Sequence, residues 1–371
     1  MLALNQDQVK TGFYPQATLD GQITWQSSTI EIPFKIPNVT IPALPLDQYK
    51  VSVGLKQLIY DGGNLRDQQQ ILAANAAIQQ QQVEVDAYKL RDKVNQLYFN
   101  VILQSATLYY QEILKYDLLN EQERLKAALH AGTMTQQNLD ELKVELLKLD
   151  EQMQEIKSSR ETSILTMGLL TGMKLDTLTR FVEPQLKDYG KLAPRPELQL
   201  FDLQQKSLQS QQKLNFTNRL PRFYAFGEGG VGRPAFNIFD PDPQAYFIGG
   251  LKLSWTIWDY RRNRLQQQVL TLNSTLIQLQ QDYFVQSQAV QELQQNQEIR
   301  KLQGLLTTDD AVIKMRAAIS KTANDQFEDG ILSGKDYFEF VNAESKAKQE
   351  RKLHELQLLF NQISLLTTQG N

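Results

Sequence analysis

Shifted by 198 positions, residues 51–172 of this chain lie over residues 249–370 without a gap. Ile59 meets Ile257, Asp61 meets Asp259, Arg66 meets Arg264, Leu72 meets Leu270 and Asn75 meets Asn273. Further along, Gly132 meets Gly330 and Glu141 meets Glu339. Shared glutamine content does not hold one offset over about 120 residues, so the pattern reads as a duplicated strand-plus-helices unit. It divides the chain into a first repeat over 1–172, a linker over 173–195 and a second repeat over 196–371. The strand start at Pro221 follows a helical stretch from about Pro196, whereas Pro15 has only fourteen residues ahead of it. The comparison therefore predicts an N-terminal helix that is cut short in this chain, and the first residues also lack the charged and apolar regions of a signal peptide.

Each repeat carries two stretches of period-2 alternation, the mark of one-sided strands. Ala17, Leu19, Gly21, Ile23 and Trp25 alternate with Thr18, Asp20, Gln22, Thr24 and Gln26. Tyr49, Val51, Val53, Leu55 and Ile59 then alternate with Lys50, Ser52, Gly54 and Lys56, antiparallel to the first if the loop is a hairpin. In the second repeat, strands over 222–232 and 246–258 present Phe223, Ala225, Gly227, Gly229 and Val231, then Phe247, Gly249, Leu251, Leu253, Trp255 and Ile257. The intervening stretches hold Pro33, Pro37, Pro42 and Pro45, and Pro234, Pro241 and Pro243, and read as ordered loops.

Between Gly63 and Gly132 there is neither glycine nor proline. This permits a helix on the order of 100 Å long at 1.5 Å per residue. Leu90, Val94, Leu97 and Val101 recur at three- and four-residue spacing, so the helix needs packed neighbours. Gly132 reads as its C-cap, with a returning helix over about 135–167. The second repeat gives helices over about 196–218, 260–325 and 335–368.

A net charge of −3 and the lack of a Lys/Arg-rich run argue against nucleic acid as a partner. Zero cysteines exclude disulfides and thiolate metal sites. No run of eighteen apolar residues is present, which excludes a transmembrane helix but leaves a transmembrane β-barrel open, since only alternate residues of a barrel strand are apolar. Four strands cannot close, and open edges in lipid would leave backbone groups unpaired, so such a chain must assemble around an axis. Two chains give about eight strands and three give about twelve, the latter enough for a hydrated lumen.

The Leu58-Ile59-Tyr60-Asp61 and Thr256-Ile257-Trp258-Asp259 junctions, the Tyr98-Phe99-Asn100-Val101 stretch, Arg195-Pro196-Glu197-Leu198, Leu220-Pro221 and the tips at Gly132 and Gly330 occur in order over nearly the whole chain. In this the sequence resembles the outer-membrane efflux proteins of the TolC type. The resemblance implies a mainly α fold with transmembrane β, in which four strands per chain contribute to a trimeric twelve-stranded β-barrel continuous with a long periplasmic α-helical barrel. It further implies a passive exit duct of a tripartite efflux or secretion system in the outer membrane of a Gram-negative bacterium. The partners implied are two further copies of the chain, a periplasmic adaptor, an inner-membrane pump and outer-membrane lipid. A soluble coiled-coil scaffold is the alternative; it accounts for the helices but leaves the strands and proline-rich loops without purpose.

By the same resemblance, Gly330 leads to a periplasmic gate at Asp336 and Glu339, with Asn138 and Glu141 at the matching places of the first repeat. The plainer reading is that these are solvated groups at helix starts, where the dipole favours carboxylates. Gly132, Thr133, Met134, Gly330, Ile331 and Leu332 are candidates for adaptor docking at the helix tips, or simply for capping turns. Trp25, Tyr49, Phe247, Trp255 and Trp258 are candidates for a membrane girdle, or for core packing. His130 and His354 fall at unrelated places in the repeats and read as solvated, and Tyr109-Tyr110 as interhelical packing. Gly227–Gly232 lacks the Lys-Ser/Thr and helix of a phosphate loop and reads as space for large neighbours. No nucleophile-base pair and no metal-ligand spacing is found, so no enzymatic activity, cofactor or metal is expected.

Overall fold

A computed structural model describes residues 2–29, 45–132, 135–186, 194–237, 240 and 242–370. Helix α1 (Leu2–Lys10) closes in a single 3-10 turn, Thr11–Phe13, that delivers the chain to strand β1. Four strands follow the alternation: β1 Gln16–Trp25, β2 Asp47–Tyr60, β3 Arg222–Arg233 and β4 Gln244–Ser254. They form one antiparallel sheet in the order β1-β2-β3-β4.

The last strand is shorter than its alternation predicts. It stops at Ser254, opposite Arg222, rather than continuing to Trp258. The residue ahead of Arg222 is Pro221, which has no N–H to extend the ladder. Beyond it the chain turns on Asp259, whose oxygens accept from the N–H groups of Arg261 at 3.1 Å and Asn263 at 2.9 Å. Asp61 does the same at the other junction, accepting from Gly63 at 2.8 Å and Leu65 at 2.7 Å. Both turns need two residues at positive φ: Gly62 and Gly63 at 73° and 92°, Tyr260 and Arg261 at 49° and 68°. A side chain at Gly62 would meet Leu220 Cβ at 2.6 Å, so the first turn requires glycine for space as well as for φ.

These turns launch the long helices α2 (Asn64–His130) and α5 (Arg262–Glu328), 67 residues each. The returning helices α3 (Gln136–Thr171) and α6 (Gly334–Gln369) have 36 residues each, and α4 (Pro196–Thr217) leads into β3. The paired elements α2/α5 and α3/α6 begin and end 198 residues apart.

The chain forms two compact units, residues 1–81 with 200–281, and residues 82–199 with 282–371. In the first, side-chain hydrogen bonds tie α4 to α2 and α5: Ser207 to Asn75 at 3.0 Å, Ser274 to Gln205 at 2.7 Å, and Asn215 to the Asn263 carbonyl at 3.0 Å. In the second, an apolar core gathers Leu118 and Leu125 of α2, Leu139, Leu142, Leu146, Leu149 and Met153 of α3, Ala323 and Phe327 of α5, and Tyr337 and Phe338 of α6. The three- and four-residue spacing on α3 is what aims one stripe of that helix at its neighbours.

Candidate functional site: a two-faced sheet and paired helix ends

Cross-strand register decides which side chains share a face. Ile23 stands opposite Tyr49, Leu19 opposite Val53, Val53 opposite Gly229, and Gly229 opposite Phe247. One face therefore joins Leu19, Ile23, Val51, Val53, Leu55, Phe247, Leu251 and Leu253, all between 52% and 86% exposed. So large a contiguous apolar surface is not that of a sheet surrounded by water. The outer strands β1 and β4 each pair on one side only among the described residues.

The candidate girdle residues fall at different heights along the strands. Trp25 closes β1 opposite Asp47, at the loop end, and is exposed. Trp255 and Trp258 follow β4 at the helix end; the Trp255 indole donates to the Arg219 carbonyl at 2.9 Å, and Trp258 meets Tyr260 edge-on. Tyr49 is half-buried near the loop end. Phe247 lies level with Leu19 and Val53, midway along the strands, where its ring covers the backbone at Gly227 and Gly229. The glycine run thus makes space, as the sequence suggests. At Gly230 a Cβ would meet the Val51 carbonyl at 2.3 Å.

At the far ends of α2 and α5 the two tips are built alike. Gly132 and Gly330 adopt φ of 76° and 73°, and their N–H groups reach Leu129 and Phe327 carbonyls, each at 3.1 Å. Ile331 N–H continues to the Gln326 carbonyl at 2.9 Å, completing a Schellman turn. That turn sends Leu332 inward against the core and leaves Ile331 exposed, so Leu332 is a packing residue rather than an exposed tip residue. Thr133 and Met134 lie outside the described residues.

The four candidate gate residues are not equivalent. Ser333 caps α6 by accepting from Asp336 N–H, and its hydroxyl donates back to the Asp336 carboxylate at 2.7 Å. Asp336 is thereby tied to the N-cap of α6. Asn138 lies against Gly334 at the start of α6. Glu141 and Glu339 instead line one groove of about 850 Å³ between α3 and α6, together with Asp140, Glu145, Lys148 and Lys335. Two candidates thus share a groove and two serve the helix starts.

Three clusters here were not foreseen from sequence. Near the tips, Arg124 of α2 donates to Glu121 at 3.0 Å and to Glu328 of α5, Asn324 also reaches Glu328 at 3.2 Å, and Tyr337 of α6 donates to Asn324 at 3.2 Å. Burial pushes the Glu121 carboxyl above its ordinary value, with Arg124 opposing, while hydrogen bonds from Arg124 and Asn324 hold Glu328 below its own. A raised folded-state value means that ionised Glu121 costs stability as pH rises through it. Glu121→Gln is therefore expected to raise the thermal midpoint at neutral pH, the difference closing once both states are protonated below about pH 4. Thermal unfolding followed across pH checks this; a variant less stable at neutral pH refutes it.

Arg195 forms the second cluster. It donates to both oxygens of Glu197, at 3.0 and 2.7 Å, and to the Thr367 and Thr368 carbonyls at 3.3 Å, ending α6 with a positive charge. Its guanidinium lies over Tyr88 at 4.7 Å and Phe284 at 5.6 Å, and Tyr88 also donates to the Thr367 carbonyl. The third is Tyr98, whose hydroxyl donates to the Val182 carbonyl at 2.7 Å and accepts from Val182 N–H at 3.2 Å, pinning the linker to α2. His354 corrects an expectation too: rather than lying free in solvent it is half-buried, with Nδ1 2.7 Å from Asp309 Oδ2. His130 is exposed, and Tyr109 meets Tyr110 edge-on at 5.5 Å with Tyr109 itself exposed. Among the described residues no helix is long and apolar enough to cross a membrane, and no group of three or more His, Asp or Glu could hold a metal ion.

No family model and no curated protein sequence matches the chain. Solved structures do. A membrane protein from Pseudomonas aeruginosa aligns with TM-score 0.74 at 12% identity, covering 100% of this chain and 84% of that one. The fold is that of the TolC-type outer-membrane channels. The Campylobacter jejuni CmeC outer membrane channel aligns with TM-score 0.68 at 14% identity, over 100% of this chain and 80% of its own. The open state of the Neisseria gonorrhoeae MtrE outer membrane channel gives TM-score 0.68 at 12% identity, over 100% and 83%. A TolC-type fold accounts for the pairing of a four-stranded sheet with helices far longer than its strands.

Proposed function

We propose that this chain is one subunit of a trimeric outer-membrane channel, a passive duct whose twelve strands close into a barrel and whose helices continue as a periplasmic tunnel. The observation that carries the reading is the sheet, with one continuous exposed apolar face and two outer strands each paired on one side. Lipid suits the face, and further copies of the chain suit the edges. A second surface supports assembly: Leu265, Val269, Leu272, Leu276 and Leu279 of α5 follow four- and three-residue spacing and are all about half exposed or more. Among the described residues that is an exposed heptad seam, suited to a helix of another copy. The common offset of the paired helices favours two copies of one ancestral unit.

Under this reading Glu141 and Glu339 form the acidic part of a periplasmic gate, held in register by Asp336 and Asn138. The tips around Gly132–Met134 and Gly330–Ile331 meet a periplasmic adaptor that couples the duct to an inner-membrane pump. The first test is oligomeric state: detergent-extracted protein is expected to be trimeric by mass photometry and to aggregate when detergent is withdrawn. A monomer or dimer that stays dispersed without detergent would overturn the barrel and support a soluble helical scaffold.

A further inference from the structure

The polar face of the sheet is unevenly charged. At the end leading into the helices, three successive rows read Gln16-Lys56-Phe226-Gly250, then Leu58-Tyr224-Lys252, then Arg222-Ser254. Lys56, Lys252 and Arg222 therefore stand on neighbouring rows of one face. Among the described residues none of the three has a carboxylate within ion-pair distance, whereas Lys50, further along the same face, is 2.7 Å from Glu228. Lys56 Nζ sits 4.4 Å from the Tyr224 ring centre, and Arg222 donates to the neutral Asn218 amide oxygen at 3.2 Å. Lys56, Arg222 and Tyr224 share the wall of a cavity of about 290 Å³ with Tyr14, Gln16 and Gln68.

Of the carboxylates near this charge, Glu228 is offset by Lys50, whereas Asp61 and Asp20 accept only from neutral donors and counter it in part. Asp61, in the same wall, is buried and accepts from the N–H groups of Gly63 and Leu65. Glu228 is held by Lys50 and by the Tyr246 hydroxyl at 2.7 Å. Asp20 lies two rows beyond Lys56 and accepts from Thr18. Lys56, Arg222 and Lys252 outnumber the nearby carboxylates of Asp61 and Asp20, and the surplus produces a positive potential that concentrates anions and repels cations. In a pore such a ring is the usual means of favouring one sign of solute.

We propose that Lys56, Arg222 and Lys252 form a basic collar on the lumenal wall, at the barrel end nearest the helices, which favours passage of anionic solutes bearing carboxylate or phosphate groups. The collar rests on the channel reading above, and its sign is opposite to that of the carboxylates at the helix ends.

Two measurements test it on the 371-residue chain. Because the protein has no cysteine, Ser254→Cys beside Arg222 and Thr24→Cys at the opposite end of the same face can be labelled cleanly. The first readout compares anionic sulfonate and cationic trimethylammonium thiosulfonates. The sulfonate-to-ammonium rate ratio is expected to be on the order of threefold or more higher at Ser254→Cys than at Thr24→Cys, and to fall to the Thr24→Cys value when Lys56, Arg222 and Lys252 are all changed to Gln. Equal ratios at both positions, unaffected by the triple change, would overturn the collar. The second readout is the reversal potential in a bilayer under a potassium chloride gradient, which the triple Gln variant is expected to shift towards potassium. An unchanged potential in a conducting variant would also overturn the proposal. Absence of any conductance with the labelling ratio intact would overturn the channel reading, and with it the collar's part in passage, while establishing the positive field itself.

Discussion

Leu251→Arg is expected to abolish membrane assembly. Leu251 stands opposite Ala225 well inside the apolar face and is 76% exposed, so in water the change would relieve an apolar surface and cost nothing. In lipid the sign reverses: an arginine on the outward face of a barrel strand costs about 2–4 kcal/mol at the midplane and less towards the interface, and Leu251 lies between the midpoint of the strands and their helix end. Three symmetric copies carry that cost three times in a trimer. The control is Thr18→Arg, which stands on the polar face opposite Gly54 and leaves the lipid contact unchanged. Membrane fractionation and native mass analysis should find Leu251→Arg monomeric or aggregated and Thr18→Arg trimeric. Normal trimers from Leu251→Arg would mean that this face does not meet lipid.

Arg195→Ala should be the most damaging single change among the helices. Removing the guanidinium leaves Glu197 buried with no cation beside it, and takes a donor from two carbonyls at the end of α6. Breaking one half of a buried pair costs about 3–5 kcal/mol. Arg195→Lys keeps the charge but neither the fork to Glu197 nor the flat face over Tyr88 and Phe284, so it should recover only part of the loss. Hydrogen exchange should show the last turns of α6 opening in Arg195→Ala while β1–β4 stay protected; unchanged α6 protection would refute the clamp.

Much of the fold was legible because its signals are local and periodic. Alternation at period 2 marks all four strands, and the glycine- and proline-free run from Asn64 to His130 marks α2. The end of β4 was not legible from its own residues, because it is set by Pro221, just ahead of the neighbouring strand. The motif residues Tyr98 and Arg195 could be noticed, but their roles could not, since Val182 lies 84 residues from Tyr98 and Thr367 lies 172 from Arg195. Glu121 reads as one more charge on a polar helix face until α5 and α6 are seen to cover it. Leu332 reads as an exposed tip residue because nothing in its immediate sequence reveals which way the turn after Gly330 throws it.

The hydrogen-bonded seams of α4 differ in kind from the apolar core around Leu142 and Phe338. Greasy contacts degrade gradually when one helix glides along another, because a methyl group finds a new neighbour at almost any offset. A ladder such as Ser207 to Asn75, Ser274 to Gln205 and Asn215 to Asn263 offers no halfway position: a slide of one residue unpairs every rung at once. The helices next to the sheet are therefore indexed rather than lubricated, and sliding of one past another is opposed at each rung.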